Sequence, residues 1–343
     1  MRHIKTGLLI AGVVLIAFLV YRIGAGAIVG VLGQLAWWKF ALICVPYAFI
    51  TAADTLAWRY AFTHASVPYW RLYGARLAGE ALNLVTALGS VGGEAVKAWL
   101  IRRDVTYEES VPSVVIAKTT IVMGQAIFLL IGIFLASVAL PVEANVIGGM
   151  LWLLGIEIVA VGGFVGAQVT GLVARMGKLM ARFGLIAAPE YAAQLDESLR
   201  EYYRRDWRRL LLSVGFHTLG WLLGAVEAFL VLWALDIRAG ILTATVIEAL
   251  GSGVRFASFM VPASLGAFEG ANAAAFGALG LGAAAGIAFS LVRRARQVAW
   301  IVIGLVVMGA MRWNETASAT RPESPARLRR RSAGGAPPSN RPG

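Results

Sequence analysis

Two stretches of an otherwise apolar chain carry ionisable side chains at helical spacing beside clusters of small residues. In residues 71–99, Arg76, Glu80 and Asn83 recur at i, i+4 and i+7. That spacing sets all three on one helical face, with Leu72, Leu77, Leu84 and Val85 around them. Gly89, Ser90, Val91, Gly92 and Gly93 then break the pattern, and Glu94 and Lys97 follow at i and i+3 in a second helix. A helix N-terminus behind a glycine break suits an anion. Glu94 would compete with that anion unless it pairs with Lys97 or Arg76.

Residues 248–275 repeat this order loosely. Arg255 stands in an apolar half-helix, Pro262 and Gly266 break it, and Glu269, Gly270 and Asn272 begin the next half. Two interrupted segments in corresponding places point to a transporter-type site at the interface between repeats. A third feature is the run Arg293, Arg294, Ala295, Arg296, Gln297 inside the apolar stretch 283–311, with Arg293 and Arg296 on a shared face. Charges at that depth are costly and face a cavity or a partner. The acids in the broken segments are Glu94, Glu248 and Glu269. The chemistry expected is therefore binding: a polar cavity lined by Arg76, Asn83, Glu94, Lys97, Arg255, Glu269, Arg293 and Arg296 that accepts a polar or anionic group.

Each feature also has a plainer reading. Arg76 and Glu80 make an ordinary interfacial salt bridge in one reading. The glycines serve close helix packing. Arg293 and Arg296 cap a shorter helix at the headgroups by snorkelling. Asp54, Glu157 and Glu227 are single acids in apolar spans, either satisfied structural contacts or members of a proton path. His3, His64 and His217 lack metal-ligand spacing, and the lone Cys44 reads as a small buried hydrophobe. The sequence holds no H-E-x-x-H, G-x-S-x-G or G-x-x-x-x-G-K-[ST] motif, so neither a metal nor another cofactor is expected.

The elements that must position these residues follow from composition. The chain has 343 residues, 59% of them hydrophobic and 15% charged, and its mean hydropathy is +0.72. Soluble domains are about 45–50% apolar and about 25% charged, so an ordinary soluble enzyme and a disordered chain are excluded. Continuous apolar runs at 127–140, 146–165 and 300–311 contradict the alternating pattern of a membrane barrel and favour helices. Spans are expected at 40–58, 111–140, 145–173, 210–235 and 283–311. Residues 7–20 are expected to form a retained first helix rather than a cleaved signal peptide, since Arg22 stands between the apolar core and the small residues 25–27. The fold class is thus all-α, a polytopic helical membrane protein. It should make about seven to eight crossings, with 70–102 and 241–281 as broken or re-entrant hairpins.

Charge sets the expected orientation. The net charge is +12, from 31 Lys and Arg against 19 Asp and Glu. Segment 59–109 holds six basic residues, segment 174–209 eight, and the tail 312–343 seven. Positive-inside logic places these and the N-terminus in the cytoplasm. Residues 191–209 read as an amphipathic surface helix. Residues 1–312 form the membrane domain, and 313–343 a disordered basic tail. That tail has no aromatic stacking platform, so no nucleic acid partner is expected.

The run Ala81 to Leu84 and then Gly89 to Lys97 resembles the first signature of the flippase-like membrane family, which includes the transmembrane domain of lysylphosphatidylglycerol synthases. Residues 262–270, Pro262 to Gly270, match its second signature, and Arg293 to Arg296 fit as well. Leu250 to Arg255 together with Phe268, Glu269 and Gly270 lean toward the branch associated with hopanoid biosynthesis. Thr86 departs from the proline that many members carry before the glycine break. The resemblance covers most of residues 5–311 and implies lipid translocation between the leaflets of a bacterial inner membrane. It does not imply synthase activity, since the soluble aminoacyl-transferase domain of those synthases has no counterpart in this sequence. The partners implied are membrane lipids, with a homo-oligomer or lipid-synthesis proteins compatible. The competing readings are a membrane-embedded lipid-headgroup transferase and a noncatalytic subunit of a lipid-synthesis complex.

Overall fold

The computed structural model describes residues 30, 33, 35–85, 91–140, 143–172, 174–175, 190–258, 264 and 266–319. Among them are ten helices and no strand, the all-α polytopic class expected from the sequence. They are α1 Trp37–Tyr60, α2 Tyr69–Val85, α3 Val91–Leu100, α4 Tyr107–Val138 and α5 Ala144–Val169, then α6 Glu190–Arg205, α7 Trp207–Ala234, α8 Ile241–Ala257, α9 Ala267–Ala278 and α10 Ala283–Ala319. The first apolar stretch at 7–20, the breaks at 86–90 and 259–263, and the tail from 320 lie outside the described residues.

Helices α1, α4, α5 and α7 are each long and apolar enough to cross a bilayer. Their outer faces stay apolar, as lipid chains require: Trp152, Ile156 and Val159 on α5 and Leu130 and Phe134 on α4 are exposed. Helix α10 has the length to cross, at 37 residues, but the three arginines interrupt its apolar course. It also continues through Ala319, so the boundary expected at 312 falls inside a helix.

The two interrupted segments are pairs of short helices. Helix α2 packs on α3, and α8 on α9. The first pair meets backbone to backbone: a Cβ on Gly93 would run into the Gly79 carbonyl, and one on Gly79 would lie 2.8 Å from the Gly93 carbonyl. In the second pair Gly266, at φ +80°, begins α9 in a conformation that disfavours other residues. Helix α10 joins both pairs. Its Gly286 lies on the backbone of α9 at Asn272, and its Gly304 lies on the backbone of α2 at Leu77. The arginines at 293–296 fall between these two contacts.

The apolar core divides in the same way. One cluster gathers Trp58, Leu72, Leu100, Ile101, Ile116 and Tyr202 around the first pair. A second gathers Ile43, Val231, Leu232, Phe276 and Phe289 around the second pair. A third holds Phe128, Leu129, Met150 and Val246 between α4, α5 and α8. Along α1, Ile43 belongs to one cluster and Trp58 to another, and Tyr47, Ile50 and Asp54 between them face a polar interior. Helix α6 is amphipathic as expected, and it buries Leu199 and Tyr202 against the bundle, where the Tyr202 hydroxyl donates to the Tyr60 carbonyl at 3.1 Å.

Candidate functional site

The polar interior contains a cavity of about 380 Å³, within the range of small-ligand pockets. Its walls come from α1, α2, α4, α7, α8, α9 and α10. Asp54 and Glu80 stand on one side, and Glu227, Glu248, Arg255, Arg293, Arg294 and Arg296 on the other. Tyr47, Trp221, Phe268 and Trp300 supply aromatic surface.

The arginine side is one connected network. Arg293 sits between two carboxylates, 3.3 Å from Glu227 and hydrogen-bonded to Glu248. Arg296 lies 2.8 Å from the same Glu227. Arg255 donates to Glu248 at 2.7 Å and lies over the Phe268 ring at 5.0 Å. Arg294 donates to Glu269 at 2.7 Å, to Gln297 at 3.0 Å and to the Ser264 carbonyl at 3.3 Å. Glu269 uses its other oxygen to accept from the Gly266 amide at 2.8 Å, which closes the start of α9. Four arginines thus face three glutamates, and this side carries a surplus positive charge. Guanidinium groups present fixed forks of donors that match phosphate and carboxylate oxygens.

The opposite side is built from the first helix pair. Arg76 donates to Asp54 at 2.8 Å and lies 3.9 Å from Glu80. Lys97 donates to Glu80 at 2.7 Å and to Glu94 at 3.0 Å. Asn83 donates to Glu94 at 3.0 Å and accepts from the Gly93 amide at 2.9 Å, so it fastens the start of α3 to α2. Asp54 also bonds His217 Nδ1 at 2.7 Å.

Of the eight residues read from sequence, Asn83, Arg255, Arg293 and Arg296 line the cavity. Arg76, Glu94 and Lys97 stand behind it, around Glu80, in an adjoining crevice. Glu269 also stands behind the wall and acts through Arg294, which does line it. The charges in the broken segments alone do not identify Asp54, Glu227 or Arg294 as wall residues. Asp54 and Glu227 are isolated acids in apolar spans, and their partners lie 22 and 66 or more residues away in the chain. Arg294 lies off the face shared by Arg293 and Arg296, on the side of α10 that reaches Glu269 of α9. Among the described residues no three His, Cys, Asp or Glu side chains converge as metal ligands.

No match was found among curated proteins or among solved structures. A family model described as the lysylphosphatidylglycerol synthase TM region matches residues 4–305, which include every helix of the two pairs and the arginine run of α10. With most of its length covered by that match, the chain belongs to the lysylphosphatidylglycerol synthase transmembrane-region family, and is a multi-pass helical membrane protein.

Proposed function

We propose that the protein moves a lipid with a polar or anionic headgroup between the leaflets of a bacterial inner membrane. The single observation behind this is the cavity wall of Arg255, Arg293, Arg294 and Arg296, buried within a bundle whose outer faces are apolar. Four guanidinium groups held by only three carboxylates leave positive charge available to an anionic head, and the apolar outer faces suit acyl chains. The Leu250 to Arg255 and Phe268 to Gly270 segments support a hopanoid-linked lipid as the cargo. The protein acts as a translocase with no chemical step on the lipid. Its N-terminus, residues 174–209 and the tail face the cytoplasm, a reading supported by the clustering of Lys and Arg there.

The test is reconstitution into vesicles with a fluorescent phosphatidylglycerol and quenching from outside. Loss of fluorescence beyond the outer-leaflet fraction is expected with the protein, and loss of that excess with Arg293→Ala. Vesicles that quench only to the outer-leaflet fraction with well-folded protein would overturn the proposal. A covalently altered lipid detected by mass spectrometry would favour a transferase instead.

A further inference from the structure

One buried group on the acidic side takes no part in the lipid-holding network. His217, on α7, is fully buried. Its Nδ1 lies 2.7 Å from an Asp54 oxygen, and its Nε2 has no hydrogen-bond partner. A carboxylate can only accept, so Nδ1 carries the hydrogen and Nε2 presents a vacant lone pair. Helix α4 holds the ring in place, since a Cβ on Gly124 would lie 3.0 Å from the His217 Cβ. Helix α7 in turn admits Asp54 at Gly220, where a Cβ would lie 2.8 Å from the carboxylate.

The ring stands at the end of an ion-pair cluster. Asp54 on α1 touches it, Arg76 on α2 pairs with Asp54, and Glu80 on α2, Glu94 and Lys97 on α3 and Lys118 on α4 continue the cluster. Three acids there meet three cations, of which Lys118 is half exposed and stands 3.8 Å from Glu94 at the rim. Tyr47 on α1, Glu227 on α7, Glu248 on α8 and Arg293 and Arg296 on α10 belong to the cavity beyond Asp54. Helix α6 ends at Arg205, about three turns before His217. Asp54 both lines the cavity and holds the ring, so a charge on His217 acts at the cavity wall through that shared carboxylate, and Nε2 is an unpartnered base beside it among the described residues.

We propose that His217 is a proton-binding site coupled to the lipid site, so that one proton is taken up with each anionic headgroup and given up when the headgroup leaves. This rests on the lipid-translocating reading above. The step is a simple protonation: a proton from the aqueous phase binds Nε2, and Nδ1–H keeps its bond to Asp54. The imidazolium so formed turns the bond to Asp54 into a full ion pair and reduces the negative charge that Asp54 presents to the cavity, which strengthens anion binding. By reciprocity, a bound anionic headgroup strengthens proton binding at His217. A proton gradient then supplies a driving force for lipid movement.

The experiment is titration of the full-length protein in detergent with dihexanoyl phosphatidylglycerol, in buffers of different ionisation enthalpy, between about pH 6 and 8, where an imidazole ordinarily changes charge. The proposal predicts uptake of up to one proton per lipid bound, and affinity that falls with rising pH by as much as about tenfold per unit. His217→Gln, whose amide can still donate to Asp54, should bind lipid without proton uptake and without that pH dependence. His64→Gln should behave as wild type. Lipid binding by wild type with no proton uptake overturns the coupling while leaving the lipid site standing, and needs no variant to fold. Uptake retained in a folded His217→Gln protein overturns the assignment to His217. No lipid binding at all by wild type would overturn the lipid reading and this one with it.

Discussion

The two broken-helix pairs carry similar residues in similar order, and the structure uses them differently. In the first pair the charges are mostly satisfied within the pair: Lys97 bridges Glu80 and Glu94, and Asn83 ties both halves together. Outside the pair, Arg76 reaches Asp54 on α1, Glu94 lies 3.8 Å from Lys118 on α4, and Arg71 pairs with Asp104. In the second pair the acids outnumber the single arginine. Glu248 and Glu269 depend on Arg293 and Arg294, supplied by α10. The first pair is held mostly by charges of its own, and the second is completed by another helix. A pair whose charges close internally can keep its shape while neighbours move. A pair held through α10 changes when α10 does, and α10 also packs on α2 through Gly304. The arginine run is therefore placed to report the state of one pair to the other.

This difference can be broken by mutation, and the largest effect is expected at Arg293. Arg293→Ala leaves Glu227 and Glu248 facing each other in a buried site with one cation fewer. Removing one partner of a desolvated pair costs about 3–5 kcal/mol. Thermal unfolding in detergent should show that loss, and lipid movement should cease. Glu80→Gln is the matching change in the first pair. It should cost less than Arg293→Ala, because Lys97 keeps Glu94 and Arg76 keeps Asp54. Equal losses in the two variants would remove the contrast.

A packing change sharpens the same point. Gly93→Ala forces a methyl group into the Gly79 carbonyl, and overpacking of this kind costs about 1–3 kcal/mol. The loss should fall on the first pair, seen as faster hydrogen exchange in α2 and α3 with α8 and α9 unchanged. Glu269→Gln is milder still for stability. Glutamine can still accept from the Gly266 amide, and Arg294 keeps Gln297 and the Ser264 carbonyl. Stability should fall by about 1 kcal/mol, the scale of a hydrogen bond, while lipid movement drops sharply because Arg294 loses its charged anchor. The smallest effect belongs to Arg200→Ala on α6, whose ion pair with Glu197 is 3.7 Å long and exposed. Pairs of that kind contribute about 0–1 kcal/mol, and neither thermal stability nor transport should change measurably.

Much of this arrangement was legible in the sequence because it is written in local spacing. The face shared by Arg76, Glu80 and Asn83, the glycines that let α3 meet α2, and the arginines inside an apolar helix all lie within a few turns of one another. The pairing of those arginines was not legible. Glu269 bonds Arg294, about 100° around α10 from Arg293, and no spacing rule fixes that choice without knowing which face meets α9. Glu227 and Asp54 carry no periodic signal, since each is a single acid whose partner is brought in by tertiary packing. His217 was read only for metal-ligand spacing, and its significance lies in a bond to Asp54, 163 residues away in the chain. Glu157 shows the opposite case: it is buried with neither carboxyl oxygen hydrogen-bonded among the described contacts, and it stands apart from the cavity wall.

The most direct test of the central claim is photo-crosslinking with a phosphatidylglycerol that carries the reactive group on its headgroup. The full-length protein in lipid bilayers is irradiated, digested and mapped by mass spectrometry. If the arginine-walled cavity receives the headgroup, labels will fall on the α10 peptide around Arg293 to Trp300 and on the α8 and α9 peptides around Arg255 and Phe268, and unlabelled lipid will compete them away. Labels confined to the lipid-facing surface of α5, around Trp152 to Val159, would contradict the account.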